Sequence, residues 1–422
     1  MLPLSFWKIH KSICKQCVNK YYIKYNRYNV PFHNYLVYSM LPYMMRNTNG
    51  KGVSLKDHLF NEEKVQFLAG LFCNVDTTFK MDLFVTEVMK ELPRLELKQR
   101  IVCIAKALEQ HLPKDFKKAC GVIIDVLPEA LDPSKTDDDF GDFIFAPLGE
   151  YVVRNGLTKK HLNTSLKTLK EITKRFSMED SIRYFLNEFE SETMKEMERW
   201  VHDNNYHVRR LVSEGTRPLL PWSGRVALEV TAPLLFLNIL HADNTRYVTR
   251  SVANHMNDIS KTKPDVVITS LIGWKIQERQ SEKELDWVTR HSLRTLLKQG
   301  HKGALELLGY YTNPKITVST IAVNRDSLKI GDILEFSFTV KASRDEKLMI
   351  DYVIDFVKAN GQTNSKVFKL KKIEIKKGKT VVISKKHRLL AHATTFKLYP
   401  GKHAIALQIN GQQYNQTTFT LT

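Results

Sequence analysis

Cysteine is scarce in this sequence, long apolar runs are missing, and no familiar catalytic signature can be found. The five cysteines among 422 residues are Cys14, Cys17, Cys73, Cys103 and Cys120. An odd and widely spaced set excludes a disulfide framework and points to a reducing compartment. Cys14-x-x-Cys17 has no second pair, so it makes half a zinc site at most. No window approaches the roughly 18 unbroken apolar residues of a membrane span, and the start has no signal-peptide core. There is no P-loop, no GxSxG, no HExxH and no Cys/His metal set, so neither a metal nor a cofactor is expected.

Acidic residues are also under-represented. Lys and Arg number 64 against 45 Asp and Glu, a formal charge of +19. With 43% hydrophobic residues the chain is globular, and the excess charge calls for a polyanionic partner, nucleic acid before a membrane surface. The imbalance is sharpest at the start, where residues 1–50 contain no Asp or Glu at all. They read either as a basic arm or as translated upstream sequence with the true start near Met44 or Met45. The second reading is the expectation.

From Ser54 to about Gly309 apolar residues recur at three- and four-residue spacing, as in Val65, Leu68, Leu71 and Phe72. A longer period overlies it. Val208, Val248 and Val288 are forty residues apart, Arg210, Arg250 and Arg290 keep the same interval, and Asp203 and Asp243 stand five residues before the first two valines. Forty residues is one helix pair of the HEAT type, so residues 52–312 read as a stack of such pairs. In that reading Asp caps the second helix, Val faces the core, and the three arginines line one groove.

Residues 313–422 change period. Leu334–Val340, Ile350–Phe356, Val367–Ile375 and His403–Ile409 alternate, divided by Asn360-Gly361, Lys377-Gly378, Pro400-Gly401 and Asn410-Gly411. About seven short strands predict an immunoglobulin-like β-sandwich lacking the inter-sheet disulfide. The expected architecture is mainly α, a HEAT-like solenoid followed by this small sandwich, whose lysines from Lys369 to Arg388 could close around a duplex.

With no ready-made motif, chemistry must come from acids and aromatics near the arginines. Glu179, Glu214 and Asp258 stand out, and Glu214 follows Arg210 by four residues, which puts the two on one helix face. For any single acid an ordinary ion pair explains as much. Trp222, in Leu220-Pro221-Trp222, reads as packing or as a stacking platform, and His255 as a polar core or groove residue.

The stretches Tyr206–Trp222, Tyr247–Ser260, Pro147–Val152 and Arg290–Lys298 together resemble the AlkC branch of the bacterial DNA alkylation repair glycosylases, over about residues 52–312. The tail is similar to the extra C-terminal domain of some members. The resemblance implies hydrolysis of the N-glycosidic bond of cationic alkylated bases of the 3-methyladenine, 3-methylcytosine and 1-methyladenine type. It implies Glu179, Glu214 and Asp258 as catalytic carboxylates, and Trp222 and Asp180 against the lesion. Arg209, Arg210, Arg250, Arg290 and Arg294 are the expected contacts to the DNA backbone. The sequence departs from the family at Thr249, where a second arginine is usual, and at Asp180, where an apolar or aromatic residue is usual. The expected partner is double-stranded DNA carrying alkylated bases, bound by a cytoplasmic, nucleoid-associated monomer. No lysine is placed by motif as a Schiff-base nucleophile, so a monofunctional enzyme is expected. The competing reading is a non-catalytic HEAT-repeat module that binds DNA or protein. It explains the repeat and the charge equally well, but it does not require the three acids together with Trp222.

Overall fold

The computed structural model describes residues 54–132, 140–391 and 397–422. The expected basic extension, with its Cys-x-x-Cys, and most of the loop after Asp132 lie outside the described residues. The chain divides into two compact units, one ending at Asp258 and one running from Ile259 to Thr422.

The first unit is helical. Its helices are α1 (Leu55–Leu59), α2 (Glu62–Val75), α3 (Met81–Glu91), α4 (Leu97–His111), α5 (Phe116–Asp125), α6 (Ala146–Gly156), α7 (Leu162–Thr173), α8 (Ser181–Glu188), α9 (Glu190–Trp200), α10 (Tyr206–Gly215), α11 (Leu234–Leu240) and α12 (Arg246–Ile259). Local chemistry sets their starts. The Asn61 side chain accepts from the Lys64 amide at the head of α2, and Glu96 and Gln99 close a reciprocal capping box on α4. The apolar period becomes the buried stripe Val65, Leu68, Ala69 and Phe72 on α2.

Two glycines let the helices around the later site approach closely. A Cβ on Gly149 of α6 would lie 2.5 Å from both Met178 Sδ and Ser181 Oγ, and one on Gly215 of α10 would lie 2.6 Å from Ile182 Cγ2. Any side chain there would push α6 or α10 away from α8.

The forty-residue repeat is present, with Val208 in α10 and Val248 in α12 fully buried. The aspartates act differently from the expected caps. Asp203 accepts from the Asn205 amide and Asp243 from the Thr245 amide, so each folds the turn two residues ahead, and Asn205 itself caps α10. Each aspartate also takes a cation from the preceding repeat. Lys170 of α7 reaches Asp203 at 2.6 Å, and Arg209 of α10 grips Asp243 with Nε and Nη2 at 2.5 and 3.0 Å. The Asp therefore fixes the step between neighbouring repeats as well as the helix entry.

The second unit begins with α13 (Pro264–Gln277), α14 (Glu282–Ser292), α15 (Arg294–Lys298) and α16 (Lys302–Leu307) and continues, among the described residues, into nine strands. One sheet holds β1 (Ile316–Val318), β4 (Ile333–Ala342) and β2 (Ala322–Val323), with β7 (Thr380–Arg388) also pairing β4. The other runs β3 (Ser327–Leu328), β9 (Gln412–Leu421), β8 (Gly401–Ile409), β5 (Glu346–Val357) and β6 (Thr363–Ile375). Alternate residues of β4, including Phe336, Phe338 and Val340, fill the space between the sheets. Gly361, Gly378, Gly401 and Gly411 all take positive φ at the predicted turns. Asn410 and Gly411, at φ 46° and 77°, form the two-residue link between β8 and β9.

The change from helix to strand near residue 313 falls inside this unit, not at its edge. β5 is buried on both faces because its outer face meets the preceding helical segment. Gln408 bonds Lys298 O, Lys347 bonds Leu308 O and Asn410 bonds Tyr311 O, while Gly300 and Gly411 meet backbone to backbone, with a Cβ on Gly300 reaching Gly411 Cα at 2.6 Å.

Candidate active site

Two helices of the first unit turn polar faces toward each other. On α10 and its exit turn the face is Arg210, Ser213, Glu214 and Arg217. On α12 it is Ser251, His255 and Asp258. These spacings repeat one helical face. Every one of these residues is buried. Burial of so many polar side chains is tolerable only where they find partners, and each of these side chains makes at least one polar contact, although His255 Nε2 has none among the described residues.

The partners form a chain of alternating charge. Glu179, just before α8, accepts from Arg210 Nη1 at 2.7 Å. Arg210 Nη2 lies 3.7 Å from Glu214. Arg217 Nη1 donates to Glu214 at 2.5 Å, and its Nε and Nη2 donate to Asp258 Oδ2 at 2.9 and 2.8 Å. Ser251 adds a bond to Glu214 at 2.5 Å, and Ser177 bonds both Glu179 and Arg210. The structure thus brings together the three acids named from the sequence, spread over eighty positions of chain, by threading two guanidinium groups between them.

Charge state follows from these contacts. Burial alone would raise the Glu214 carboxyl, but Arg217 and Arg210, helped by Ser251, outweigh it and hold the pKa down at about 2. Glu214 is therefore ionised at every physiological pH. Burial likewise works against the charged forms of Arg210 and Arg217. Tyr247, Glu179 and Glu214 overcome it for the first, and Glu214 and Asp258 for the second, so both stay cationic. His255 goes the other way. Burial and then Arg217 push it down to about 4, so it is neutral, and its Nδ1 donates to Ser213 O at 3.0 Å. It is the polar core residue that its position suggested.

Arg210 also lies over two rings, 4.5 Å from the Tyr247 centroid and 5.3 Å from Phe140. Arg209 and Arg210 are expected on phosphates, but the structure engages Arg209 with Asp243 and buries Arg210 among the acids. Arg250 is half-buried on α12. Arg290 and Arg294 belong to the second unit. Arg290 pairs with Asp286 one turn earlier and stays about half exposed, while Arg294 donates to His291 O. Asp180 sits at the head of α8 with Lys98 3.8 Å away, and its side chain is more exposed than that of Glu179.

Among the described residues of the first unit Trp222 is the most exposed large ring, at 63%. Ser223 N donates to Leu220 O across Leu220-Pro221-Trp222-Ser223, and Trp222 has φ 74°. This is a type II turn, with proline in its preferred second place and tryptophan where glycine or asparagine is usual. A left-handed tryptophan costs about 1–2 kcal/mol relative to glycine. Packing does not repay that cost, since the ring is in solvent. Trp222→Gly should therefore leave the melting temperature unchanged or raise it, measured by thermal unfolding, while Trp222→Phe should keep the strain. A clear drop in the glycine variant's melting temperature would mean the indole supports the fold.

Arg217 and Ser251 are absent from the sequence-derived site, although both lie in the quoted stretches. The signal was the i, i+3, i+4, i+7 run of polar residues on α10 and its exit turn, with its counterpart on α12. Among the described residues no cluster of His, Cys, Asp and Glu could hold a metal ion. No helix among them is long and apolar enough to cross a membrane.

Known proteins match both parts of the molecule. The family model for the C-terminal Ig-like domain of the uncharacterised protein YhaZ matches residues 317–422. YhaZ of Bacillus subtilis strain 168 is 33% identical over 365 residues, covering 86% of this chain and 98% of its own. The alkylpurine DNA glycosylase AlkC of Pseudomonas fluorescens, solved bound to DNA containing an abasic site analog, superposes with a TM-score of 0.78 at 32% identity, over 88% of this chain and all of that one. Helical repeats, an acid-and-arginine cluster at their centre and an Ig-like tail are joined here in one chain, and that chain belongs to the family of YhaZ and AlkC.

Proposed function

We propose that this protein is a monofunctional DNA glycosylase that hydrolyses the N-glycosidic bond of cationic alkylated bases in duplex DNA. The observation that carries the reading is the chain Glu179–Arg210–Glu214–Arg217–Asp258, with an exposed, strained tryptophan five residues after Arg217. Likeness to AlkC supports it, since an abasic site is the product such a reaction leaves.

The chemistry suits the charge states. An alkylated ring nitrogen makes the base cationic, so the glycosidic electron pair can leave with it and neutralise the ring. No general acid is needed, and Glu214, ionised at every physiological pH, could not serve as one. The sugar left behind is oxocarbenium-like at C1′, and fixed carboxylates stabilise that positive charge in a site shielded from water. Water then adds to C1′, and its proton passes to a carboxylate. Within the five-membered chain three acids face two guanidinium groups, so one negative charge is left to favour a cationic base over a neutral one. The Trp222 face offers that base a cation–π surface. Arg250, Arg290 and Arg294 are the proposed backbone contacts, and the loss of salt dependence expected of a phosphate arginine belongs to Arg250→Ala, not to Arg210→Ala.

The test is base release by purified protein from duplex DNA treated with a methylating agent. Free 3-methyladenine or 3-methylcytosine, leaving alkali-labile abasic sites, is the expected outcome. Salt-dependent binding with no base released would replace this reading with that of a binding module.

A further inference from the structure

One face of α8 is devoted to a loop that it does not belong to. Arg183 is almost fully buried, yet among the described residues it bonds no carboxylate. Its Nη1 donates to Gly215 O at 3.0 Å and to Arg217 O at 2.8 Å, and its Nε donates to Gly224 O at 2.7 Å. Asn187, one helical turn on and exposed, donates to Arg225 O at 3.0 Å and accepts from the Ala227 amide at 2.9 Å. Five hydrogen bonds from two side chains therefore bracket the segment from Gly215 to Ala227.

That segment carries both halves of the proposed site. Arg217 joins Glu214 to Asp258, and Trp222 stands five residues further on. The backbone strain at Trp222 persists only where surrounding structure holds it, and the ring, being in solvent, supplies no such hold. The bonds from Arg183 to Arg217 O on one side and Gly224 O on the other do.

Resting on the function proposed above, we infer that Arg183 and Asn187 are positioning residues. They fix the distance between the Arg217-bridged carboxylates and the Trp222 ring without touching the substrate. A guanidinium suits the task because its fork can serve several carbonyls at fixed angles, which a lysine cannot.

Asn187→Ala is the informative variant, because the residue is exposed and its loss should leave the fold intact. In the full-length chain, single-turnover release of 3-methyladenine should slow roughly tenfold, with the Kd for the methylated duplex unchanged, as expected when reacting groups are misplaced. Amide exchange at Ala227 should rise while α10 keeps its protection, a local change that a general loss of stability would not give. Arg183→Lys should slow release further while keeping the charge. Glu214→Gln is run alongside. A slow Glu214→Gln with Asn187→Ala at full rate overturns the positioning role alone. Full rate in Glu214→Gln overturns the reading of the site on which it rests.

Discussion

Glu214→Gln and Asp258→Asn should each lower base release at least about tenfold while leaving duplex affinity nearly unchanged. Both substitutions keep shape and remove one negative charge. A loss confined to turnover would mean that the charge acts in the transition state, where tenfold corresponds to about 1.4 kcal/mol. Position favours a large effect, because both carboxylates are buried and locked by Arg217, so they need little reorganisation when charge develops at C1′. The pH profile is a second readout. With Glu214 held at about 2 and His255 at about 4, neither group titrates between pH 5 and 8, and release should show no limb from them in that range. Excision at full rate in both variants would end the assignment of these acids.

Arg217→Met should be the most destabilising single change at the site, by about 3–5 kcal/mol, because it leaves two buried carboxylates without their shared cation. The pH dependence distinguishes this from simple loss of packing. In the native chain Glu214 has a folded pKa below its unfolded value. It therefore favours the folded state above pH 4.5, and that contribution is lost as pH falls toward 2. In the variant, burial is opposed by fewer cations, so the folded pKa rises above the unfolded one. The folded state is then penalised at neutral pH, and the penalty lifts as pH falls through the raised value. The gap in denaturation midpoint between native and variant protein should narrow from pH 7 to pH 4. A constant gap would show that the charge pairing contributes little.

The repeat, the solenoid-plus-sandwich architecture and the three acids were legible in the sequence because each leaves a periodic or chemical mark. The setting of the repeat arginines was not. Arg210 and Arg290 occupy the same place in the same motif, two residues after a core valine, yet one is buried and the other half exposed. The cause is what surrounds each helix. All of α10 except Arg209 is buried, so no face of it is left for solvent, whereas α14 buries only Leu285, Val288 and Ser292. A local motif specifies an angle around its own helix. It cannot specify what is packed at that angle. Arg217 escaped notice for a related reason, since it lies past the end of α10, and only the position of α12 gives it two acids to join.

The seating of the sandwich on the last helices bears on how such proteins can be recombined. Composition places a seam near residue 313, and a modular view would allow the β-domain to be exchanged or lost there. Yet the carbonyls of Lys298, Leu308 and Tyr311 take their donors from across that seam, and Gly300 rests on Gly411 with no room for a side chain on either. A graft cut at 313 would strand those carbonyls and bare the helices beneath. The inheritable module is the last helices together with their sandwich, and a glycine at either contact has no substitute that the other can accommodate.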